Sequence, residues 1–188
     1  MKSNQHVIVL TGAAGTGKTT IQNYLKQKHQ INPVITHTTR KERPGEKNGI
    51  NYYFENKESF ARLHLLEAVN YAGNQYGSSI EGIERALANQ NLATIVLDTA
   101  GAITYQKKLK EQAKIIFLSV CQADELRDRM ISRGDSLAEV EKRINSKEDN
   151  RDLSLPDELL DHATVIYNEN LDQTLHEVDQ IIEKLNKH

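Results

Sequence analysis

The chain has 188 residues, enough for one domain with a real core, and 38% of them are hydrophobic. A formal charge of −2 gives no bulk electrostatic reason to expect nucleic acid or an anionic membrane as partner. The single cysteine excludes an intrachain disulfide, and no apolar run reaches membrane-spanning length. Met1-Lys2-Ser3-Asn4-Gln5-His6 has no signal-like core, so a cytoplasmic protein is expected.

The first predicted strand is the apolar run Val7–Leu10. It leads into Gly12-Ala13-Ala14-Gly15-Thr16-Gly17-Lys18-Thr19, a full match to G-x-x-x-x-G-K-[ST], and then into a helix over 18–28. Strand, glycine-rich loop and helix together separate this from an ordinary glycine-rich turn. Glycines let backbone N–H groups wrap a polyphosphate, and the helix N-terminus adds donors and positive dipole charge. Lys18 would reach the β- and γ-phosphates, and Thr19 would place its hydroxyl on Mg²⁺. The chain is expected to bind a nucleoside triphosphate.

Further strands are predicted at Val34–Thr38, Ala93–Asp98, Ala113–Val120 and Ala163–Tyr167, with helices near 79–90, 101–112, 122–132 and 171–187. Several strands are continuous apolar runs, which fits burial on both faces. The last helix carries Leu171, Leu175, Val178, Ile182 and Leu185 on one face, with Asn170 as its N-cap. This βα alternation argues for an α/β fold with a parallel sheet. Cys121 closes the fourth strand and is expected to be a buried small hydrophobe. Two segments break the rhythm. Residues 40–78 are rich in Arg, Tyr, Gly and Asn, and 127–151 are dense in charge and suit a mobile helical flap.

In the first of these segments Arg40 and Arg43 lie three residues apart in Thr38-Thr39-Arg40-Lys41-Glu42-Arg43-Pro44-Gly45-Glu46. Two guanidiniums with the phenols of Tyr52 and Tyr76 suit a second phosphate site. A carboxylate would repel phosphate, so Glu67 needs another task. The N1–H and N2 amino group of guanine form a two-donor edge that matches one ionised carboxylate, whereas adenine offers an acceptor at N1. Plainer readings exist for each residue. The arginines can be solvated, the tyrosines can simply pack, and Ser78-Ser79-Ile80-Glu81 fits a capping box that would make Ser78 an N-cap. His37 is read as structural. In the second segment Arg129 and Arg133 share a helix face, Gly134 breaks the helix, and Ser136-Leu137-Ala138-Glu139 restarts it before Arg143.

The order Thr38-Thr39-Arg40-x-x-Arg43-Pro44-Gly45-Glu46, Gly49-Ile50-Asn51-Tyr52-Tyr53-Phe54, Leu66-Glu67 and Gly73-Asn74-Gln75-Tyr76-Gly77-Ser78 strongly resembles the guanylate kinase family, along nearly the whole chain. The resemblance implies a P-loop NTPase-type parallel sheet flanked by helices. The core would be 1–35, 79–126 and 152–188, with a GMP-binding subdomain over 36–78 and a helical lid over 127–151. It implies phosphoryl transfer from ATP to GMP with Mg²⁺, by a monomer or homodimer. ATP would be held by residues 12–19 with Thr20, Arg129, Arg133 and Asn168. Arg40, Arg43, Tyr52 and Tyr76 would hold the GMP phosphate, and Thr36, Glu67, Gly77 and Ser78 the guanine. Lys18, Arg43, Arg133 and Arg143 would stabilise the transition state. Asp98 lies at the guanine pocket by the family pattern, though by spacing alone it equally suits Mg²⁺ through water.

Thr36 stands where the family usually has serine, Ala100 where it commonly has glutamine, and the loop after Gly134 is about one residue shorter. Two other readings share the scaffold: a kinase of another small phosphorylated acceptor, for instance a sugar phosphate, and a non-catalytic binding module. Glu67 speaks against the first and Lys18 with Thr19 against the second.

Overall fold

The computed structural model describes residues 1–43, 45–71, 73–122, 124–132 and 134–186. In chain order the elements are β1 (His6–Thr11), α1 (Lys18–His29), β2 (Asn32–Pro33), β3 (His37–Thr38), β4 (Tyr53–Phe54), α2 (Lys57–Phe60), β5 (Leu65–Tyr71), β6 (Asn74–Ser79), α3 (Ile80–Ala86), β7 (Leu92–Val96), α4 (Thr99–Leu109), β8 (Ala113–Ser119), α5 (Asp124–Ser132), α6 (Leu137–Ile144), α7 (Lys147–Asp152), β9 (Ala163–Tyr167) and α8 (Leu171–Asn186). Short 3-10 turns follow α4 and precede β9.

Five strands form a parallel sheet in the order β2-β7-β1-β8-β9. Its central strand is covered on both faces, which is why Val7–Leu10 is apolar without alternation. Val7 and Val9 face one core with Ile95, Ile115, Ala102 and Tyr105. Ile8 and Leu10 face the other with Ile21, Leu25, Leu118, Val178 and Ile182. The side chains of Val7, Ile8, Val9 and Leu10 are fully buried, and each contributes roughly 1.5–3 kcal/mol. Val178 and Ile182 anchor α8 one turn apart, and Asn170 caps that helix by accepting from the Gln173 N–H. Among the described residues no helix is long and apolar enough to cross a membrane.

The stretch Val34–Thr38 is not one strand. Val34 still donates its N–H to the Thr94 carbonyl, but the chain then leaves the core sheet, and His37–Thr38 pair instead with β4 and β6. They belong to a second, four-stranded sheet ordered β4-β3-β6-β5, outside the helix–strand rhythm. The β5–β6 hairpin is antiparallel and turns at Gly73, whose φ of 78° favours glycine. Its register sets Glu67 opposite Ser78 and Val69 opposite Tyr76.

Three further expectations are corrected. Asp98 does not end a strand: β7 stops at Val96, and Asp98 caps α4 by accepting from the Gly101 N–H. The cap of α3 is Ser79, which accepts from the Gly82 N–H, so the Ser78 hydroxyl has other partners. Cys121 is exposed, in the turn after β8, where its backbone N–H donates to Glu169. β8 ends at Ser119, two residues before Cys121. Segment 127–151 takes in the later part of α5, all of α6 and most of α7. Val140 of α6 is buried, and Arg127 bridges to Glu141 at 2.9 Å.

Candidate active site

The loop after β1 leaves the C-terminal end of the sheet. Gly12, at φ 124°, passes so near β8 that a Cβ there would strike the Leu118 carbonyl. Gly17 caps α1 in the left-handed region, against the Asn168 amide. Thr16 is buried and ties its hydroxyl to the Ala13 carbonyl. Asn168 donates to the Thr16 carbonyl at 2.9 Å and accepts from Thr174 at 3.0 Å. It therefore braces the loop from the β9–α8 junction. The Lys18 ammonium donates to the Gly12 and Ala13 carbonyls, both at 2.6 Å, which places the charge over the loop. Thr19 and Thr20 are exposed at the start of α1.

Facing this loop across a cavity of about 770 Å³ is the second sheet. Thr38 and Thr39 both bond Gln75 of β6, fixing the turn that presents Arg40. The Arg40 fork pairs bidentately with Glu46 at 2.8 and 2.9 Å and lies over the Tyr52 and Phe54 rings. Glu46 also accepts the Arg43 N–H at 2.8 Å. Tyr52 meets Tyr76 edge-on, with centroids 6.2 Å apart. His37 is buried between Glu55 at 2.9 Å and Ser79 at 3.1 Å, a structural stitch behind this wall.

Glu67 is 6% exposed and lines the cavity. Burial, and then the charge of Asp98, push its pKa up to about 7. Ser78, fully buried, does not line the cavity; it stands behind Glu67 at 3.4 Å. Gly77 keeps β6 close to β5, since a Cβ there would meet the Glu67 carbonyl oxygen at 2.9 Å.

The cavity also collects Thr36, Arg40, Arg43, Tyr52, Tyr76, Asp98, Arg129 and Arg143. Ala13 and Thr16 support the loop from behind. Arg129 pairs with Glu125 at 3.0 Å and Arg143 with Asp135 at 4.0 Å. Arg133 lies outside the described residues.

Several lining residues escape sequence reasoning. Val69 and Asn74 belong to the hairpin, and a period-two reading from Glu67 reaches Val69. The larger omission is α7. Asp149 accepts the Ala14 N–H of the phosphate loop at 2.7 Å, and burial raises its pKa. Arg151 donates to Asp98 at 2.7 Å and to Asp152 at 2.9 Å, and Asp152 accepts from the Thr99 hydroxyl at 2.6 Å. One short helix thus touches both sides of the cavity. Among the described residues, no group of three or more His, Cys, Asp or Glu could hold a metal ion.

Known proteins give the same outline. A family model described as guanylate kinase matches residues 4–185. The guanylate kinase of Synechococcus sp. (strain JA-3-3Ab) is 36% identical over 182 residues, covering 94% of this chain and 81% of that protein. The guanylate kinase of Campylobacter jejuni subsp. jejuni serotype O:2 is 33% identical over 168 residues, covering 85% and 81%. Among solved structures, a crystal structure of guanylate kinase from Anaplasma phagocytophilum superposes with a TM-score of 0.69. It covers 98% of this chain and 87% of that one at 24% identity, a likeness of fold.

Proposed function

Because this chain belongs to the guanylate kinase family, we propose that it transfers the γ-phosphate of ATP to GMP, giving ADP and GDP. The observation that carries this reading is a buried carboxylate, Glu67, in the wall of a cavity that also holds a complete phosphate loop. A phosphate acceptor alone gives no reason to bury a carboxylate, whereas guanine supplies two donors to it.

ATP enters over the loop, its phosphates taking the backbone N–H groups while Lys18 turns from the Gly12 and Ala13 carbonyls to the β- and γ-phosphates. Asp149 gives up the Ala14 N–H in that step. The GMP phosphate meets Arg40, Arg43, Tyr52 and Tyr76, and Glu46 presets the Arg40 fork. Thr36 and Glu67 face the base, with Ser78 supporting Glu67. Phosphoryl transfer asks for positioning and charge neutralisation rather than a side-chain nucleophile. Lys18, Arg43 and Arg143 supply cationic charge from three directions, and Arg133 joins them by its place in the family pattern.

Mg²⁺ fits a site of this kind. The ion favours phosphate oxygens and water with few protein ligands, and the Thr19 hydroxyl, exposed beside Lys18, is the ligand this chain offers. When bound it neutralises phosphate charge. Residues 36–78 and 127–151 are proposed to close on the two substrates and exclude water, which otherwise hydrolyses ATP.

The test is coupled ADP release with GMP, dGMP, AMP, UMP and sugar phosphates as acceptors. GMP should be preferred by orders of magnitude. Equal use of a sugar phosphate would identify a different kinase, and no turnover with any acceptor would identify a binding module.

A further inference from the structure

Tyr105 sits in the middle of α4, fully buried among the aliphatic side chains of the core, and phosphoryl transfer makes no use of it. A phenylalanine would fill the same space without a polar atom. The hydroxyl is the part that calls for an explanation, because a buried phenol needs a partner. It lies 2.8 Å from Ser78 Oγ, and Ser78 Oγ lies 3.4 Å from Glu67 Oε2. Three oxygens therefore run in a line from the core to the cavity wall.

Counting protons sets the direction of this line. An ionised carboxylate only accepts, so the Ser78 proton points to Glu67. Ser78 then accepts from Tyr105, whose hydroxyl meets no other acceptor among the described residues. The opposite orientation would strand the Tyr105 proton in the core. The phenol thus favours the anion: by donating to Ser78 it polarises that hydroxyl toward Glu67, which stabilises the charged carboxylate more than the neutral acid. Other charges around Glu67 act independently of this line. Asp98, itself paired with Arg151, opposes ionisation, and Lys108 of α4, which donates to the Leu66 carbonyl at 2.7 Å, favours it.

We propose that Tyr105 is a positioning residue for base selection: its hydroxyl commits the Ser78 proton to Glu67 and so keeps that carboxylate ionised and fixed for the base. The base-reading half rests on the function proposed above; the relay itself does not.

Two measurements separate the halves. The first uses no substrate. Thermal stability is followed from about pH 4 to about pH 9 with and without Glu67→Gln, in the wild type and in Tyr105→Phe, and the pH at which the difference develops reports Glu67 ionisation. Tyr105→Phe should raise that midpoint by about half to one pH unit. Added to Ser78→Ala, the same change should move it no further. An unmoved midpoint, or an equal shift in the Ser78→Ala background, overturns the relay and leaves Tyr105 as packing. The second is KM for GMP against pH. Tyr105→Phe should raise KM about two- to fivefold at neutral pH and about three- to tenfold in mild acid, with kcat unchanged and the two proteins converging at high pH. A KM increase that is uniform across pH contradicts the proposal. If the midpoint moves but KM ignores Glu67→Gln, the relay stands and the guanine reading falls.

Discussion

Glu67→Gln tests site chemistry and fold energetics in one substitution. It keeps the size of the side chain and exchanges two acceptors for one acceptor and one donor. Against guanine, one hydrogen bond is lost and a donor faces a donor. A charge-assisted hydrogen bond contributes roughly 1.5–3 kcal/mol, so kcat/KM for GMP should fall by about ten- to a few hundred-fold. AMP offers an acceptor at N1 and a donor amino group, so the GMP-to-AMP ratio should shrink. Stability should move the other way. Burial and Asp98 raise the Glu67 pKa from 4.5 to about 7, against the opposing pull of Ser78 and Lys108, so the folded protein holds this proton more tightly than the unfolded chain does. Stability from this group is complete below pH 4.5 and is lost as pH rises through about 7. The full loss is about 3 kcal/mol by linkage. The unpaired amide of the variant gives back roughly 1–2 kcal/mol of that. The variant should therefore be more stable than the wild type by about 1–2 kcal/mol well above neutral pH, roughly 2–8 °C in Tm, and less stable by about 1–2 kcal/mol in acid, where the linkage gain is gone and the amide cost remains. Scanning calorimetry across pH and kcat/KM for GMP and AMP supply the readings. An unchanged GMP-to-AMP ratio, or a Tm gain that is equal at pH 4 and pH 8, refutes the reasoning.

Lys18→Ala should abolish transfer with the fold intact, checked by coupled ADP release and circular dichroism; retained turnover would remove the phosphate-loop assignment. Arg40→Ala should weaken every monophosphate alike, because phosphate carries no base information. Glu46→Ala should raise KM for GMP with less effect, since it frees the Arg40 fork without removing it; an unchanged KM in both would move the acceptor phosphate elsewhere. Asp149→Asn keeps an acceptor for the Ala14 N–H and removes a charge beside the incoming phosphates. KM for ATP should drop by about three- to tenfold, as for one screened charge interaction of roughly 1 kcal/mol; a rise would mean that Asp149 helps to hold the nucleotide.

The core was legible because its signals are local. Val7–Leu10, the glycine spacing and the Lys18 helix follow one another in sequence and in space, and Asn170 caps the helix its position suggested. The second sheet was not, because its strands owe their pairing to residues far along the chain. His37–Thr38 is only two residues long and exists through β4 and β6. Ser78 and Ser79 both fit a cap on paper, and the choice falls to Ser79 because Glu67 and Tyr105 engage Ser78. Both partners are distant in sequence, 11 and 27 residues away. In α7, Lys-Glu-Asp-Asn-Arg-Asp has the composition of a solvated face, yet Asp149, Arg151 and Asp152 reach the phosphate loop, Asp98 and Thr99. Charge runs show where ions are, and only the fold shows which of them are paired.

The central claim is that one cavity brings ATP and GMP together for direct transfer. Incubation with ATP labelled in its γ-phosphate, Mg²⁺ and GMP, followed by separation of the nucleotides, tests it most directly. Label should appear in GDP in step with ADP formation, with little in inorganic phosphate, and should not appear in GDP after Lys18→Ala. Label accumulating in inorganic phosphate, or in GDP at the same rate without Lys18, would contradict the account.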